Sequence, residues 1–536
     1  MSQSDRGMKS WLQSLPMMPE LYWQLIRRRT PANRRRIHRL GQFILDWVGQ
    51  ASQVEIDPPF DKQQILFFAN VPIWLKHSSL LASAFSGLGH QVTLAYLPYE
   101  DWFSEQNDFQ IKLRDLQLKE VFQAANGHFQ AESWYKLPET AELPNELIEA
   151  VEAVCERDYQ YTHQVEVVDK STDFYEWRRK NNFAAAVTAW QWLSENRPDV
   201  VVVPNGLILE FGAVFEVARY LDIPTVTYEF GEQKDRIWLT RNQPVMFQDT
   251  DEIWEAVKNR PLTTEQDARI KELYASRMEA GLWQNFSRQW QDAPTEGGDA
   301  VREKLGLDDR PLILLAANVI GDSLTLGRQV FSETMTEWIE RTLVYYTDRP
   351  EVQFALRIHP GERYTDGPSV EDIVRRMIPQ VPDHFRIISA SDPINSYDLI
   401  SAADLGIVYT TTVGMEMAMF GLPAVVVGKT HYRNRGFTHD PESWEQYFNL
   451  LDQAQADLKI VEISHEQVNL AWQYAYYFFF EYPRPFPWHL RNLDEDIRNI
   501  RLDDLLADPL MGGFRSTFDL LRGKELPWQQ LIGQEG

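Results

Sequence analysis

Nine short apolar runs recur along the chain, with stretches of helical spacing between them. The first is Ile65-Leu66-Phe67-Phe68-Ala69-Asn70, closed by Pro72. Gln91–Tyr96, Asp199–Pro204, Thr225–Tyr228, Pro311–Asn318, Val352–Ile358, Phe385–Ile388, Leu405–Tyr409 and Ala424–Val427 follow. A run without polar alternation is apolar on both of its faces, which suits a strand covered on both sides. Strands of that kind alternating with helices predict parallel, doubly wound sheets. Helices are expected over Ser79–Leu88, about 212–221, Thr325–Tyr346, Val370–Ile378, Ser396–Ala402 and Gly414–Phe420, with Gly89 placed to end the first.

The runs fall into two groups. Ala293-Pro294-Thr295-Glu296-Gly297-Gly298 between them reads as a linker. The expected organisation is a helical extension over 1–60 and a first Rossmann-like domain over 61–300, interrupted by a helical insertion at about 100–197. A second Rossmann-like domain would span 301–470, and an aromatic, helical tail over 471–536 would brace the two lobes. The aromatic residues from Tyr474 to Phe480 read as core. Two such domains in series predict a bilobed α/β protein with a cleft between the lobes.

Composition narrows the function. The chain has 536 residues, 44% of them hydrophobic and 24% charged, which fits a packed globular protein and excludes a disordered one. Its net charge of −25 disfavours nonspecific nucleic-acid binding. Cys155 is the single cysteine, so neither an intrachain disulfide nor a cysteine-based zinc site can form. No apolar run reaches membrane-spanning length, and the N-terminus lacks the layout of a signal peptide, so a cytoplasmic protein is expected. One basic cluster interrupts this acidic chain: Arg27, Arg28, Arg29, Arg34, Arg35, Arg36 and Arg39. It reads either as a helical hairpin packed on the body or as an anchor on anionic lipid at the inner face of the membrane.

Ligands of open α/β sheets bind at the carboxyl ends of the strands. The run Val352–Ile358 leads into His359-Pro360, and Arg357 and His359 are two residues apart, so they are expected to share a face and to hold phosphate oxygens. The competing role for His359 is to cap a loop. Leu405–Tyr409 leads into Thr410-Thr411-Thr412-Val413-Gly414-Met415-Glu416, a hydroxyl-rich helix start suited to an anion, with Glu416 placed for ribose hydroxyls. The threonines would also serve as plain caps, and Glu416 as a first-turn acid. Gly321, Asp322 and Ser323 follow Pro311–Asn318, where Gly321 permits close approach of a backbone. Lys429, His431, Arg433 and Arg435 follow Ala424–Val427 as a basic loop able to neutralise a diphosphate. In the first domain His77, Glu210, Glu229 and Glu232 are candidate bases. Asp494-Glu495-Asp496 reads as part of a solvated helical tail. The chain has no Walker lysine loop, no glycine-rich dinucleotide fingerprint and no Gly-any-Ser-any-Gly elbow.

The segments Ala317–Ser323, Arg357–Glu362, Thr410–Ala418 with Gly421-Leu422-Pro423, and His431–Thr438 together resemble bacterial capsule polysaccharide biosynthesis proteins, glycosyltransferases of the two-lobed GT-B type. The resemblance is good over about 310–440, looser over 60–100 and 199–240, and absent from 100–197 and both termini. It implies a GT-B-like fold and transfer of a sugar from a nucleotide-sugar donor to a surface polysaccharide or related glycan acceptor, free or lipid-linked. No metal and no resident cofactor are implied. His359 would contact donor phosphate and Glu416 the donor ribose. Asp322, Arg357, Thr410, Thr411, Thr412, Gly414, Lys429, Arg433 and Arg435 would complete the donor site, with Glu229, Glu232 or His77 as base. The sequence departs from the retaining pattern of two glutamates seven residues apart, because only Glu416 stands in this helix. A nucleotide-sugar epimerase of the same fold and a non-catalytic scaffold of a capsule assembly complex remain open.

Overall fold

The computed structural model describes residues 17–29, 37–54, 61–135, 142–284, 286, 293–365, 367–508 and 511–532. Its first six strands are β1 (Gln64–Ala69), β2 (Gln91–Tyr96), β3 (Gln130–Ser133), β4 (Val200–Pro204), β5 (Thr225–Glu229) and β6 (Arg236–Arg241). A second group follows: β7 (Leu312–Ala316), β8 (Gln353–Arg357), β9 (Phe385–Ile388), β10 (Leu405–Val408) and β11 (Ala424–Val426). A two-residue strand, β12 (Arg484–Pro485), comes last. The first sheet has the order β12-β6-β5-β4-β1-β2-β3 and the second β11-β10-β7-β8-β9. Every pairing is parallel except those of β6 with β5 and β12.

The unbroken apolar runs have a physical cause. Ile65, Phe67, Val200 and Val202 pack into one core of the first sheet, and Leu66, Phe68, Val201 and Val203 into the core on its other face. The second sheet is sandwiched in the same way, with Leu312 and Leu314 on one side and Ile313 and Leu315 on the other. The architecture is therefore two Rossmann-like, doubly wound α/β lobes in a GT-B-like arrangement. Among the described residues no helix is long and apolar enough to cross a membrane.

The cores divide the chain differently from the expected boundaries. The helices Asp251–Val257 and Thr264–Met278 lie in the expected first domain, yet Trp254, Val257, Leu273 and Tyr274 pack with β7 in the second core. Tyr474–Phe480 also join that core. The chain then returns: β12 pairs with β6, and Phe486, Trp488, Leu502 and Phe518 fill the first core. The helix His38–Ala51 likewise buries Ile44, Trp47 and Val48 there. Two helix boundaries also shift. Pro72 opens the helix Pro72–Gly87 at its first turn, where its fixed φ is favourable. Only Met335–Thr347 of the expected Thr325–Tyr346 is helical, started by the Thr334 side chain accepting the Glu337 N–H at 2.9 Å.

The carboxyl edges of the two sheets meet. The helix Asn145–His163 of the first lobe ends at Gln164, with φ of 52°, and runs against the second lobe. A Cβ on Gly321 would lie 2.5 Å from the Val165 nitrogen, and one on Gly367 would lie 2.6 Å from the Gln164 oxygen. Glu166 then accepts the Met335 and Thr336 N–H groups at 2.6 and 2.9 Å, capping the helix Met335–Thr347 from across the cleft. The freedom of Gly321, with φ of 70°, thus serves the chain's own backbone and not a ligand's.

Candidate functional site

In the second sheet the chain order reverses at β7, between β10 and β8, so the crevice lies beyond the carboxyl ends of β7 and β10. There the Asn318 side-chain oxygen accepts the Thr410 N–H at 3.2 Å. The Thr410 hydroxyl is buried and has no hydrogen-bond partner among the described residues. Thr411 accepts the Val413 N–H at 3.4 Å, and its carbonyl accepts the Tyr432 hydroxyl at 2.5 Å. Thr412 stands at the N-cap without a side-chain cap bond. Gly414 packs under Tyr432 and Val408, and Gly428 against Thr410, where a Cβ would lie 2.7 Å from the Thr410 methyl carbon.

Arg357 and His359 do not form the shared clamp expected of them. The strand ends at Arg357, so alternation does not extend to His359. Arg357 donates to the Ser389 and Asp392 carbonyls at 2.7 and 3.3 Å and lines a cavity of about 170 Å³ with Arg363, Ser391 and Asn395. Burial pulls its guanidinium down to about 10. His359 caps the following turn: its Nδ1 accepts the Gly361 N–H at 2.9 Å, which assigns the proton of the neutral ring to Nε2. Burial, and then the Arg357 charge, hold the ring near 4. Asp322 accepts the Leu324 N–H at 2.8 Å, and burial raises its carboxyl.

The basic loop faces mainly inward. Arg433 donates to the Val426 and Pro441 carbonyls. Arg435 pairs with Asp251 and donates to the Thr250 hydroxyl at 3.1 Å. His431 stacks on Phe478 with centroids 3.8 Å apart, and burial lowers its pKa well below the usual value. Lys429 alone is exposed. The expected diphosphate patch is therefore a set of braces with one cation at the surface.

Glu416 and Glu232 are joined through one arginine. Arg277 donates to Glu416 at 3.2 Å and to Glu232 at 2.9 Å, and the Tyr274 hydroxyl also donates to Glu416 at 3.2 Å. Glu232 belongs to the loop after β5, so this triad ties the first lobe to the helix Val413–Met419.

His77 is fully buried and does not face the cleft. Its Nε2 lies 3.1 Å from the Trp488 carbonyl, its ring packs on Tyr228, Phe230 and Phe486, and burial drives its pKa to about 3. It is a structural residue of the first core. Glu229 is different. It ends β5, half-buried, accepting its neighbour Phe230 N–H at 3.1 Å and the Asn205 amide at 3.3 Å. Desolvation raises its carboxyl to about 7, against the lowering effect of those two donors and Arg491. Tyr161 stands between the lobes, with Glu229 and Asp322 both raising its hydroxyl pKa beyond the effect of burial. Of the three candidate bases, Glu229 alone combines the position with the proton affinity.

Sequence reasoning found no chemistry in 100–197, yet that insertion supplies a buried ion network. Arg178 bonds Asp158 and Glu210 at 2.9 Å each, Asn182 donates to Asp158 at 2.8 Å, and Asn70 donates to Glu210 at 2.6 Å. Asn70 and Glu210 mark the β1/β4 switch point of the first sheet, so Glu210 is fixed in the network. Just before it, Asn205 and Leu209 hold φ of 57° and 56°. Among the described residues no group of three His, Cys, Asp or Glu side chains is placed to hold a metal ion.

No protein-family profile matches this chain, and no curated protein is similar to it. Solved structures are similar at low identity. A KpsC β-Kdo 2,4 transferase of Thermosulfurimonas dismutans is 14% identical, with 51% of this chain and 78% of that one covered and a TM-score of 0.34. A UDP-GlcNAc 2-epimerase from Neisseria meningitidis, bound to UDP-GlcNAc, is 12% identical, with 78% and 99% covered and a TM-score of 0.25. The catalytic domain of starch synthase IV from Arabidopsis thaliana, bound to ADP and acarbose, is 12% identical, with 61% and 78% covered and a TM-score of 0.26. At these scores the fold assignment rests on strand order and core packing.

Proposed function

We propose that this protein is a glycosyltransferase that moves a sugar from a nucleotide-activated donor to a surface-polysaccharide or related glycan acceptor. The observation that carries the reading is Glu229, a carboxylate raised to about 7 at the carboxyl end of β5, near enough to the other lobe that it and Asp322 both act on the Tyr161 hydroxyl. A group that changes protonation near neutral pH suits a general base. The acceptor hydroxyl would attack the anomeric carbon and give its proton to Glu229. The nucleoside phosphate would leave with the electron pair of the broken glycosidic bond. The Thr410 hydroxyl, the Nε2–H tautomer of His359 and the exposed Lys429 are the donor-side groups for that leaving phosphate. The reaction in this form needs no resident cofactor and no metal, and the nucleotide-sugar is a co-substrate.

The test is transfer from a panel of nucleotide-sugars to glycan acceptors. Wild-type protein is expected to release nucleotide only when acceptor is present. Glu229→Gln is expected to bind donor with unchanged affinity and to lose transfer by at least a hundredfold, within the range of general-base contributions of about 10²–10⁴. Isomerisation of the donor sugar without acceptor would replace this reading with an epimerase.

A further inference from the structure

The helix Met18–Arg29 is held to the body on one side only. Trp23 is buried, Tyr22 packs on Phe109 at 5.6 Å, and the ion pairs Arg27–Glu120 (3.3 Å) and Lys112–Glu20 (3.7 Å) tie it to the helix Asp108–Phe122. Its other face is apolar and open: Met17 is 65%, Leu21 51% and Leu25 54% exposed. Leu21 and Leu25 are four residues apart, so they form one stripe. The helix His38–Ala51 also packs on Asp108–Phe122 and adds an exposed Arg39 and a Leu45 that is 59% exposed.

Charge selects what covers this face. From Leu21 to Leu45 the sequence has seven arginines and no aspartate or glutamate, in a chain of net charge −25. A body this acidic is repelled by an anionic surface everywhere except at such a patch. An apolar stripe running into an arginine-rich segment matches the chemistry of a lipid interface, with acyl chains for the leucines and headgroup phosphates for the guanidiniums. A soluble polyanion would satisfy the arginines and leave the leucines exposed.

We propose that the face formed by Met17, Leu21, Leu25, Arg39 and Leu45 docks the protein on an anionic lipid bilayer. This stands independently of the sugar-transfer reading.

The test is co-sedimentation of the full chain with vesicles of phosphatidylcholine alone and with phosphatidylglycerol added. Binding to the anionic vesicles is expected at about 0.1 M salt, with release at about 1 M, where the screening length shrinks to about 3 Å. Leu21→Ser with Leu25→Ser removes only exposed side chains, so the melting temperature should hold while vesicle binding falls at least tenfold. Arg39→Gln removes an exposed cation of this face and should weaken binding about fivefold, and more at low salt. Equal binding to neutral and anionic vesicles, or none to either, overturns the proposal. So does a dimer in solution that the double serine variant dissociates, since a second copy would then own the face. Binding of duplex DNA that the serine substitutions leave unchanged, without vesicle binding, would assign the arginines to a polyanion instead.

Discussion

Replacing Glu229 by glutamine should stabilise the protein at alkaline pH while destroying its proposed activity. The ordinary value for a glutamate is 4.5, and desolvation at the end of β5 raises Glu229 to about 7. Between those values the folded state keeps a proton that the unfolded state has released. Stability attributable to this group is fully present below 4.5 and is lost as pH rises through 7. At 1.36 kcal/mol per pH unit, the loss reaches about 3 kcal/mol, reduced by whatever solvent reaches this half-buried side chain. Glutamine carries no such charge, and its single amide oxygen keeps one of the two accepted hydrogen bonds, to Asn205 or to the Phe230 N–H. Urea denaturation of wild type and Glu229→Gln at pH 5 and pH 8 reads the effect: near-equal stability at pH 5, and a variant more stable by about 2–3 kcal/mol at pH 8. Parallel curves at both pH values would refute the raised proton affinity, and with it the argument for Glu229 as base.

Other expectations follow from the same geometry. Arg178→Met strands Asp158 and Glu210 in the core and should cost about 3–5 kcal/mol in denaturant titrations. His77 has a pKa lowered to about 3, so the stability it contributes is present above 6.5 and lost as pH falls toward 3. His77→Gln should flatten the acid limb of the stability curve and leave turnover within a few-fold, whereas loss of turnover in a stable variant would restore His77 as a candidate base. Gly321→Ala forces a Cβ against Gln164 and Val165 at φ of 70° and should cost about 1–3 kcal/mol, with faster amide exchange confined to residues 163–168.

The sheet topology was legible because strands buried on both faces leave unbroken apolar runs, as in Val200–Val203. β3, with the sequence Gln-Ala-Glu-Ser, is a polar edge strand, β6 is mostly half-buried with an arginine at each end, and β12 is two residues long, so none of them carries that signal. The direction in which a charge points was not legible. Arg433 and Arg357 spend their donors on backbone carbonyls, and no residue type in the sequence marks a carbonyl as an acceptor. The helix expected from Ser79 would leave His77 just ahead of it, but Pro72 begins the helix, so His77 falls in its second turn, against Phe230. The Arg178 network joins residues of three helices and the loop after β1, and only Glu210 among them was noticed. Glu229 was legible by position, at the end of an apolar run. Its proton affinity comes from neighbours that only folding supplies.

The most direct test of the central claim is Thr410→Val. The substitution removes a buried hydroxyl with no hydrogen-bond partner among the described residues, so the fold should be as stable or slightly more stable. If the β7/β10 crevice holds the donor, calorimetric titration with a panel of uridine, cytidine and guanosine diphosphates and cytidine monophosphate will show one nucleotide binding the wild type and binding the valine variant at least tenfold more weakly. Equal affinity in the two proteins would mean that the nucleotide does not bind against Thr410.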